Sequence, residues 1–182
     1  VIGAGGVGLN AIQGARIAGA RRIVAVDMTP GKLADAATFG ATDGVLGQGA
    51  PWEETRALLG RGADAVFVAV GAIGAFETAP EYLAPRGRVV MVGMPAVGAE
   101  ARYEPVNLAA AGQALIGSKM GDAVIARDVP WLCDLYAQGR LKLDELVSKT
   151  WTLDQINAAI ADTKSGKARR NVILFDQAPP TS

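Results

Sequence analysis

The sequence predicts an α/β protein built on a doubly wound parallel sheet, and three observations support this fold class. Short apolar runs rich in β-branched residues alternate with segments of helical length, Gly or Pro bounds those segments, and a glycine-rich turn joins the first run to the first helix. Continuous apolar runs are typical of strands that are buried on both faces. The alternation of strand and helix favours parallel pairing through right-handed crossovers.

Apolar runs are predicted as strand cores, and the segments between them as helices. The strand cores are residues 1–2, 23–26, 65–70, 89–92 and 115–116. The helices are residues 8–18, 30–39, 51–59 and 73–83. A further strand at 44–47 has little apolar content, and only the alternation of elements predicts it. Together these elements predict a six-stranded sheet over about residues 1–140.

After Gly121 the sequence predicts a helix that ends at Gly139. Asp128 is predicted as its N-cap, and Pro130 as part of its first turn. Apolar residues at helical spacing predict a buried face on this helix. The members of that face are Val129, Leu132, Cys133 and Tyr136. Cys133 is therefore interpreted as a core residue and not as a metal ligand.

The C-terminal residues predict a strand, a helix and a second strand. The strands are residues 147–151 and 171–175. Thr152 and Gln155 have the spacing of a capping box at the start of the helix, and Gly166 ends it. The apolar stripe of that helix is Ile156, Ala159 and Ile160. The tail 177–182 contains two prolines and is predicted to be disordered.

Composition and charge exclude several classes of function. The 182 residues carry 18 Lys plus Arg against 18 Asp plus Glu, so there is no net charge to attract nucleic acid or an anionic membrane. The absence of histidine and the single cysteine exclude an internal disulfide and a zinc site built from this chain alone. The uncharged apolar stretch at 65–76 is shorter than the roughly 20 residues of a membrane-spanning helix.

The most informative motif is Gly3-Ala4-Gly5-Gly6-Val7-Gly8, which lies directly between the first predicted strand and the first predicted helix. In such a loop the first glycine permits a tight turn, the second lets the backbone approach a pyrophosphate, and the third lets the helix pack on the strand. The N-terminus of the helix then faces the phosphate charge. Asp27 ends the next strand nineteen residues after Gly8, where an acidic side chain accepts ribose hydroxyls.

A plainer interpretation of the same residues is that the glycines only form a tight turn and Asp27 only caps the next loop. The joint spacing of loop and carboxylate favours dinucleotide binding over that interpretation. The charge of Asp27 would repel a 2′-phosphate, and no Arg occupies positions 28–30. NAD is therefore favoured over NADP.

With these motifs, the chain resembles the medium-chain dehydrogenase/reductase superfamily, and within it the zinc-dependent alcohol dehydrogenases, including the class that oxidises thiol adducts of formaldehyde. The resemblance covers nearly the whole chain. It rests on residues 1–8, on Asp27 followed by Lys32, and on the segments 39–42, 87–93, 115–118, 139–147, 165–167 and 170–172. It implies a Rossmann domain at 1–140, a C-terminal segment of a GroES-like catalytic domain at 141–176, and the tail 177–182.

The resemblance also implies roles for individual residues. Asp27 and Lys32 would hold the adenosine ribose, and Arg170 would pair with the pyrophosphate through its planar guanidinium group. From the sequence alone Arg169 is an equal candidate, and Lys32 could be a solvated lysine on a helix face. Backbone groups after the last two sheet strands would hold the nicotinamide carboxamide. The predicted cofactor-binding residues are Gly3, Gly5, Gly6, Val7, Gly8, Asp27, Lys32, Val70, Val92, Gly93, Met94, Ser118, Met120 and Arg170.

In the family that this chain resembles, the catalytic zinc is held chiefly by an N-terminal domain. The chain opens at Val1 inside a predicted strand, so we expect it to be part of a longer protein and to lack metal ligands, catalytic residues and activity by itself. For the intact protein the resemblance implies zinc and hydride transfer between NAD and an alcohol, an aldehyde or a thiol-formaldehyde adduct, in the cytoplasm. It also implies a homo-oligomer joined through the sheet edge near residues 115–120.

Three other functions stay open at this point. A zinc-free, NADPH-dependent quinone or enoyl reductase has the same fold, although Asp27 argues against it. A methyltransferase uses a similar glycine loop and acidic residue for adenosine, and a non-catalytic dinucleotide-binding module needs only the cofactor site. A short-chain dehydrogenase is excluded, because no tyrosine among Tyr82, Tyr103 and Tyr136 is followed four residues later by Lys.

Overall fold

The computed structural model describes residues 1–166 and 168–175, which divide into two compact units. The first unit is Val1–Asp134, and the second begins at Leu135. Residue 167, the end of the predicted C-terminal segment at 176 and the predicted tail 177–182 lie outside the described residues. The domain boundary near residue 140 stays a prediction.

The first unit is built on a parallel sheet. Its strands are β1 (Val24–Asp27), β2 (Asp43–Leu46), β3 (Ala63–Val68), β4 (Leu83–Met91) and β5 (Ala114–Gly117). β1 pairs with β2, and β4 pairs with both β3 and β5, all in parallel. Ile2 forms parallel bridges to Val26 and Val68 and so joins the two groups in the order β2-β1-Ile2-β3-β4-β5. This order is that of a doubly wound Rossmann fold, which confirms the predicted fold class.

Proline and glycine set the bounds of most helices in this unit. The helices are α1 (Gly6–Ile17), α2 (Pro30–Phe39), α3 (Pro51–Leu59), α4 (Ile73–Thr78) and α5 (Pro105–Ala111). Three of them begin with proline, whose fixed φ suits a first helical turn, and end at a left-handed glycine: Gly40, Gly60 and Gly112. The helix predicted at 73–83 is shorter than expected: α4 ends at Thr78, because Pro80 has no N–H to donate to the carbonyl of Phe76, and Ala79–Tyr82 continues as a 3-10 turn.

The core of the first unit lies in the middle of the sheet. Its buried strand residues include Ile2, Val24, Val26, Val45, Val66, Val68 and Val89. Leu9 and Ile12 of α1 and Phe39 of α2 are also fully buried. Each such side chain contributes about 1.5–3 kcal/mol through removal from water. This packing fixes the strand ends that carry the candidate site.

The helix predicted from Asp128 begins earlier, as α6 (Ile125–Ala137). The carbonyl of Val124 accepts hydrogen bonds from the N–H groups of both Arg127 and Asp128, which starts the helix about one turn sooner. Asp128 Oδ2 accepts the Val124 N–H at 2.7 Å, so it caps the helix from within its first turn and not from the N-cap position. Pro130 consequently lies inside the helix and outside its first turn.

The predicted buried face of α6 is wrong. Its members Val129, Leu132, Cys133 and Tyr136 are exposed. The buried residue of α6 is instead Leu135. An apolar stripe indicates that a helix face is suited to burial, but it does not indicate whether another element packs against that face. Cys133 is therefore not a core residue of the described structure.

The second unit contains β6 (Val147–Thr152) and β7 (Arg170–Leu174), which pair in parallel, and α7 (Ile156–Lys164) between them. The predicted capping box of Thr152 and Gln155 is confirmed, although it opens a short 3-10 turn that leads into α7. The predicted apolar stripe is only partly correct: Ala159 is buried, whereas Ile156 and Ile160 are exposed.

Candidate functional site

The candidate site lies where the order of the parallel sheet reverses. From Ile2 the chain passes to β1 and β2 on one side, and it then crosses to β3 on the other side. Loops that follow neighbouring strands therefore part at this point and leave a crevice outside the carboxyl ends of the strands. The glycine loop follows Ile2, Asp27 ends β1, and Val70 follows β3.

Two glycines of the loop are required by the fold itself. Gly3 has a φ of +94°, and a Cβ there would overlap Val70 Cγ1. A Cβ on Gly8 would overlap the carbonyl oxygen of Gly3. The backbone conformation and the close approach of strand, loop and helix therefore leave no room for side chains at these positions.

Gly5 differs from its neighbours in the loop. Its φ of −80° and ψ of −172° are extended values that any residue adopts. A Cβ at Gly5 would meet no atom within 4 Å, apart from its two chain neighbours. Gly5 is the N-cap of α1 and supplies no side-chain cap, so the first turn of the helix keeps its backbone donors uncapped. The structure therefore leaves open space beside a group of N–H donors.

The carboxylate of Asp27 lies against the same loop. Its Oδ2 accepts the backbone N–H of Ala4 at 2.8 Å, and its Oδ1 accepts the backbone N–H of Thr29 at 3.0 Å. Asp27 is half-buried, whereas Ala4 is almost completely buried. The carboxylate is thus held in one orientation and still has unused acceptor positions.

The loops after β3 and β4 meet beside Gly3. The N–H groups of Val92 and Gly93 donate to the Val68 carbonyl at 3.0 and 2.7 Å. A Cβ on Gly93 would overlap the Val70 carbonyl oxygen, so only glycine allows this approach. Sequence reasoning missed Gly71, whose Cβ would lie 2.6 Å from the Met94 carbonyl oxygen. The structure therefore brings Gly3, Val70 and Gly93 together.

The remaining sequence-predicted residues of the first unit lie around this crevice or further along the sheet edge. The Ser118 N–H donates to the Met91 carbonyl at 3.0 Å, which places Ser118 just beyond the end of β4. Met94 and Met120 are among the most exposed apolar residues, at 90% and 86% exposure. Lys32 lies half-buried in the first turn of α2, after Asp27 and Thr29.

Arg170 is the first residue of β7 in the second unit. Its backbone N–H and that of Arg169 both donate to Ser148 Oγ, at 3.2 and 2.7 Å. The Arg169 guanidinium donates to the Glu145 carbonyl at 3.0 Å and is therefore already engaged. This contact makes Arg169 the weaker of the two candidates for a phosphate ligand.

Sequence reasoning also missed the backbone donor of Ala4, whereas the contact of Asp27 with the Thr29 N–H is the loop cap of the plainer interpretation. A backbone N–H group is present at nearly every position, so its use as a ligand leaves no signal in residue type. Only the predicted turn between Ile2 and α1 could have indicated that Ala4 would approach the end of β1. Asp27 itself was predicted because the carboxylate does have a residue-specific signal.

No zinc site is found in the part of the chain that the structure describes. No group of three or more His, Cys, Asp or Glu side chains there could hold a metal ion. The whole sequence contains no histidine, and its one cysteine is exposed on α6. The residues present therefore do not fit a zinc centre.

No helix among the described residues is long and apolar enough to cross a membrane.

Comparisons with known proteins agree with this geometry. The family of zinc-binding dehydrogenases matches residues 6–138. The chain is 35% identical over 178 residues to the class-3 alcohol dehydrogenase of Myxine glutinosa, covering 95% of this chain and 47% of that protein. It is 31% identical over 184 residues to the S-(hydroxymethyl)glutathione dehydrogenase of Paracoccus denitrificans, covering 96% and 49%.

Solved structures give the same result. An alcohol dehydrogenase zinc-binding domain protein from Burkholderia ambifaria superposes with a TM-score of 0.92 at 34% identity, covering 97% of this chain and 48% of that one. The benzyl alcohol dehydrogenase of Acinetobacter calcoaceticus superposes with a TM-score of 0.90 at 28% identity, covering 94% and 48%. The chain thus spans about half the length of the relatives it matches. On the family match, the sequence identities and the fold, this chain belongs to the zinc-binding dehydrogenase family.

Proposed function

We propose that the intact protein is an NAD-dependent alcohol dehydrogenase and that the described chain supplies its cofactor site. The observation that carries this proposal is the open space at Gly5 next to the fixed carboxylate of Asp27. A fold-level requirement explains Gly3 and Gly8 but not Gly5. A ligand that needs the backbone of the loop uncovered explains Gly5.

The pyrophosphate of NAD would lie at the start of α1. The uncapped N–H groups of the first turn and the positive end of the helix dipole favour a negative charge there. Gly5 would let the phosphate oxygens approach the backbone. Arg170 is our candidate for a charge-assisted hydrogen bond to the same group, since Arg169 is held by the Glu145 carbonyl.

Asp27 would bind the adenosine ribose and select NAD over NADP. A carboxylate accepts hydrogen bonds from both ribose hydroxyls, whereas it repels the added charge of a 2′-phosphate. The two backbone donors restrict rotation of the carboxylate away from that position. Lys32, which lies in the first turn of α2, is the second candidate for a contact with the adenosine ribose.

The nicotinamide end would lie near the ends of β4 and β5. Backbone groups of Val92, Gly93 and Met94, together with Ser118 and Met120, are the candidates that hold the carboxamide. When it is bound, the nicotinamide ring supplies the site that accepts or donates hydride. This chain then contributes binding and orientation. Because its residues do not fit a zinc centre, activation of the substrate oxygen would depend on residues outside it.

The proposed substrate is a small primary alcohol, the corresponding aldehyde, or a thiol-formaldehyde adduct. Support comes from the names of two relatives, a class-3 alcohol dehydrogenase and an S-(hydroxymethyl)glutathione dehydrogenase. Each covers most of this chain, but this chain spans only about half of either relative. The substrate is therefore proposed for the intact protein and not for the described chain by itself.

The test is an activity assay of the intact protein together with its zinc content. We expect bound zinc and NAD-dependent oxidation of primary alcohols or of S-(hydroxymethyl)glutathione, followed by the absorbance of reduced nicotinamide. Reduction of quinones or enoyl compounds with NADPH, in the absence of zinc, would replace this proposal by the reductase alternative. Binding of NAD without any turnover would favour a non-catalytic module, and binding of S-adenosylmethionine would favour a methyltransferase.

A further inference from the structure

Asp27 contacts two segments that belong to different parts of the proposed cofactor site. Ala4, whose N–H donates to Oδ2 at 2.8 Å, belongs to the glycine loop before α1. Thr29, whose N–H donates to Oδ1 at 3.0 Å, immediately precedes α2 and is its N-cap. One carboxylate therefore connects the loop proposed for the pyrophosphate with the turn that follows the ribose-binding strand.

The hydrogen bond to Asp27 continues the backbone pairing of the first strand position. Ile2 donates its N–H to the Phe67 carbonyl at 2.8 Å, and Gly3 donates to the Val26 carbonyl at 2.7 Å. The next N–H, that of Ala4, turns to the side chain of the residue after Val26. Ala4 is only 1% exposed, so water has little access to this donor when the carboxylate is removed.

The carboxylate can serve both segments and a ribose at once. An ionised carboxylate has about four lone-pair positions on its two oxygens. The backbone donors of Ala4 and Thr29 use one position on each oxygen. One position on each oxygen is left, which matches the two hydroxyl donors of an adenosine ribose. The ribose can therefore bind while the Ala4 N–H keeps its hydrogen bond to Asp27.

We propose that Asp27 is a positioning residue of the glycine loop in addition to its proposed role as the ribose ligand. This inference rests on the proposed function, because it assigns the loop to the pyrophosphate. The carboxylate of Asp27 then affects both the choice between NAD and NADP and the conformational order of the glycine loop. A substitution that removes the carboxylate to admit a 2′-phosphate also leaves the buried Ala4 N–H without its acceptor. Such a variant loses loop order, and with it affinity for every dinucleotide.

The first test measures the loop in the absence of cofactor. Hydrogen exchange of the Ala4 amide is followed in the intact protein with 15N-labelled alanine, in wild type and in the Asp27→Asn and Asp27→Ala variants. Loss of a hydrogen bond to a charged acceptor predicts exchange faster by roughly tenfold or more. Asp64→Asn is the matched control, because the Asp64 carboxylate is exposed and pairs with Arg61 at 2.6 Å. Ala4 exchange that changes by less than about twofold in both Asp27 variants would overturn the proposal.

The second test separates loop positioning from ribose recognition. The probe is an NAD analogue whose adenosine ribose lacks both hydroxyl groups, titrated against wild type and Asp27→Ala, which leaves the Ala4 N–H without a side-chain acceptor. If Asp27 acted only through the hydroxyls, the substitution would leave affinity for this analogue unchanged or would raise it by removing a negative charge. Weaker binding of the analogue by Asp27→Ala is the expected result. Unchanged or tighter binding would contradict the positioning role.

The two proposals fail in different ways. A wild-type protein that binds no dinucleotide would refute the proposed function, while the Ala4 exchange experiment would still decide whether Asp27 orders the loop. Normal NAD binding with unaltered Ala4 exchange in the variants would refute only the positioning role. Circular dichroism of each variant confirms that the comparison is made between folded proteins.

Discussion

At the scale of single residues, glycines in one loop are present for different physical reasons. Gly8 is fixed by packing, because any side chain would overlap the Gly3 carbonyl. Gly5 has an ordinary extended backbone and open space around its Cα, so the folded chain tolerates a side chain there. Substitution at Gly5 therefore tests ligand binding with little effect on folding.

Gly5→Val is expected to lower NAD affinity by about two orders of magnitude or more, because it blocks the approach of phosphate to at least two backbone donors. Calorimetric titration measures this loss. Gly14→Val in the same helix is the control, since Gly14 is exposed and its Cβ would also meet no atom within 4 Å. Full affinity in Gly5→Val would remove the glycine loop from the site.

Asp27→Ala is expected to shift the ratio of kcat/KM for NAD over NADP toward NADP by roughly tenfold or more. The substitution removes a charged acceptor of the ribose and a repulsion of the 2′-phosphate. Steady-state kinetics of the intact enzyme with each cofactor measures the ratio, with Asp64→Ala as the exposed control. An unchanged ratio would mean that Asp27 does not face the ribose.

Individual site residues were predictable where residue type is restricted. Gly3, Gly8 and Asp27 carry such signals, and the structure places all three at the same crevice. The Ala4 N–H has no signal of this kind, because alanine occupies the position for its small buried side chain and the donor belongs to the backbone. The role of Ala4 required knowledge of how the turn folds against the end of β1.

At the scale of elements, the close contact between the loops after β3 and β4 fixes the floor of the crevice. Gly93 allows this contact, because a Cβ would overlap the Val70 carbonyl. Val70 in turn lies against Gly3. The three loops therefore form one packed unit beneath the proposed cofactor, and a change in any of them should disturb the others.

Gly93→Ala is expected to destabilise the protein by roughly 1–3 kcal/mol, the usual cost of overpacking. Gly74→Ala is the control: Gly74 lies in α4 with open space at its Cβ, and removal of a helical glycine stabilises by about 0.5–1 kcal/mol. Urea unfolding of both variants measures the difference. Equal stabilities of the two variants would show that the loops are not in close contact.

Tyr82 provides a pH-dependent test of the packing between α3 and the turn before β4. Its ring packs edge-on against Trp52 with centroids 6.4 Å apart, and burial raises the pKa of Tyr82 to about 12. A raised pKa means that the folded state favours the neutral phenol. The contribution of this phenol to the free energy of unfolding is therefore fully present below about pH 10, the pKa of tyrosine in the unfolded chain, and it is lost as pH rises from about 10 to 12.

Between about pH 10 and 12, the free energy of unfolding of Tyr82→Phe is expected to fall by about 2–3 kcal/mol less than that of wild type. Tyr103→Phe is the control, because Tyr103 is 49% exposed. Urea unfolding at pH values from about 9 to 12 provides the comparison. If the two variants have the same alkaline profile as wild type, the burial of the Tyr82 hydroxyl is refuted.

Element bounds were predictable where proline and glycine mark them, and least predictable where a tertiary partner decides. α2 and α3 begin and end at the predicted residues. The weak strand near residue 44 is present as β2, because Asp43–Leu46 pairs along β1 and buries Val45. The predicted burial of the α6 face was wrong, since no element of the described structure packs over its apolar residues and Leu135 is buried instead.

At the scale of the whole molecule, the edge strand β5 is the proposed contact for oligomerisation. β5 pairs with β4 on one side, and Ile116 is 40% exposed. An unprotected apolar edge can pair with a second copy of the same strand. The chain itself has no net charge that would oppose such pairing.

Ile116→Lys is expected to convert the intact protein from an oligomer to a monomer, because a charge on the edge strand opposes pairing between copies. Light scattering at micromolar concentration measures the mass. Leu58→Lys is the control on α3, where Leu58 is similarly exposed at 37%. A wild-type protein that is already monomeric would contradict the proposal.

Calorimetric titration of the intact protein measures whether this chain binds NAD through the glycine loop and Asp27. Wild type is expected to bind NAD at least about tenfold more tightly than NADP, and Gly5→Val to bind neither cofactor measurably. Equal affinity for the two cofactors would refute the proposed role of Asp27, and NAD affinity that survives Gly5→Val would refute the proposed role of the glycine loop.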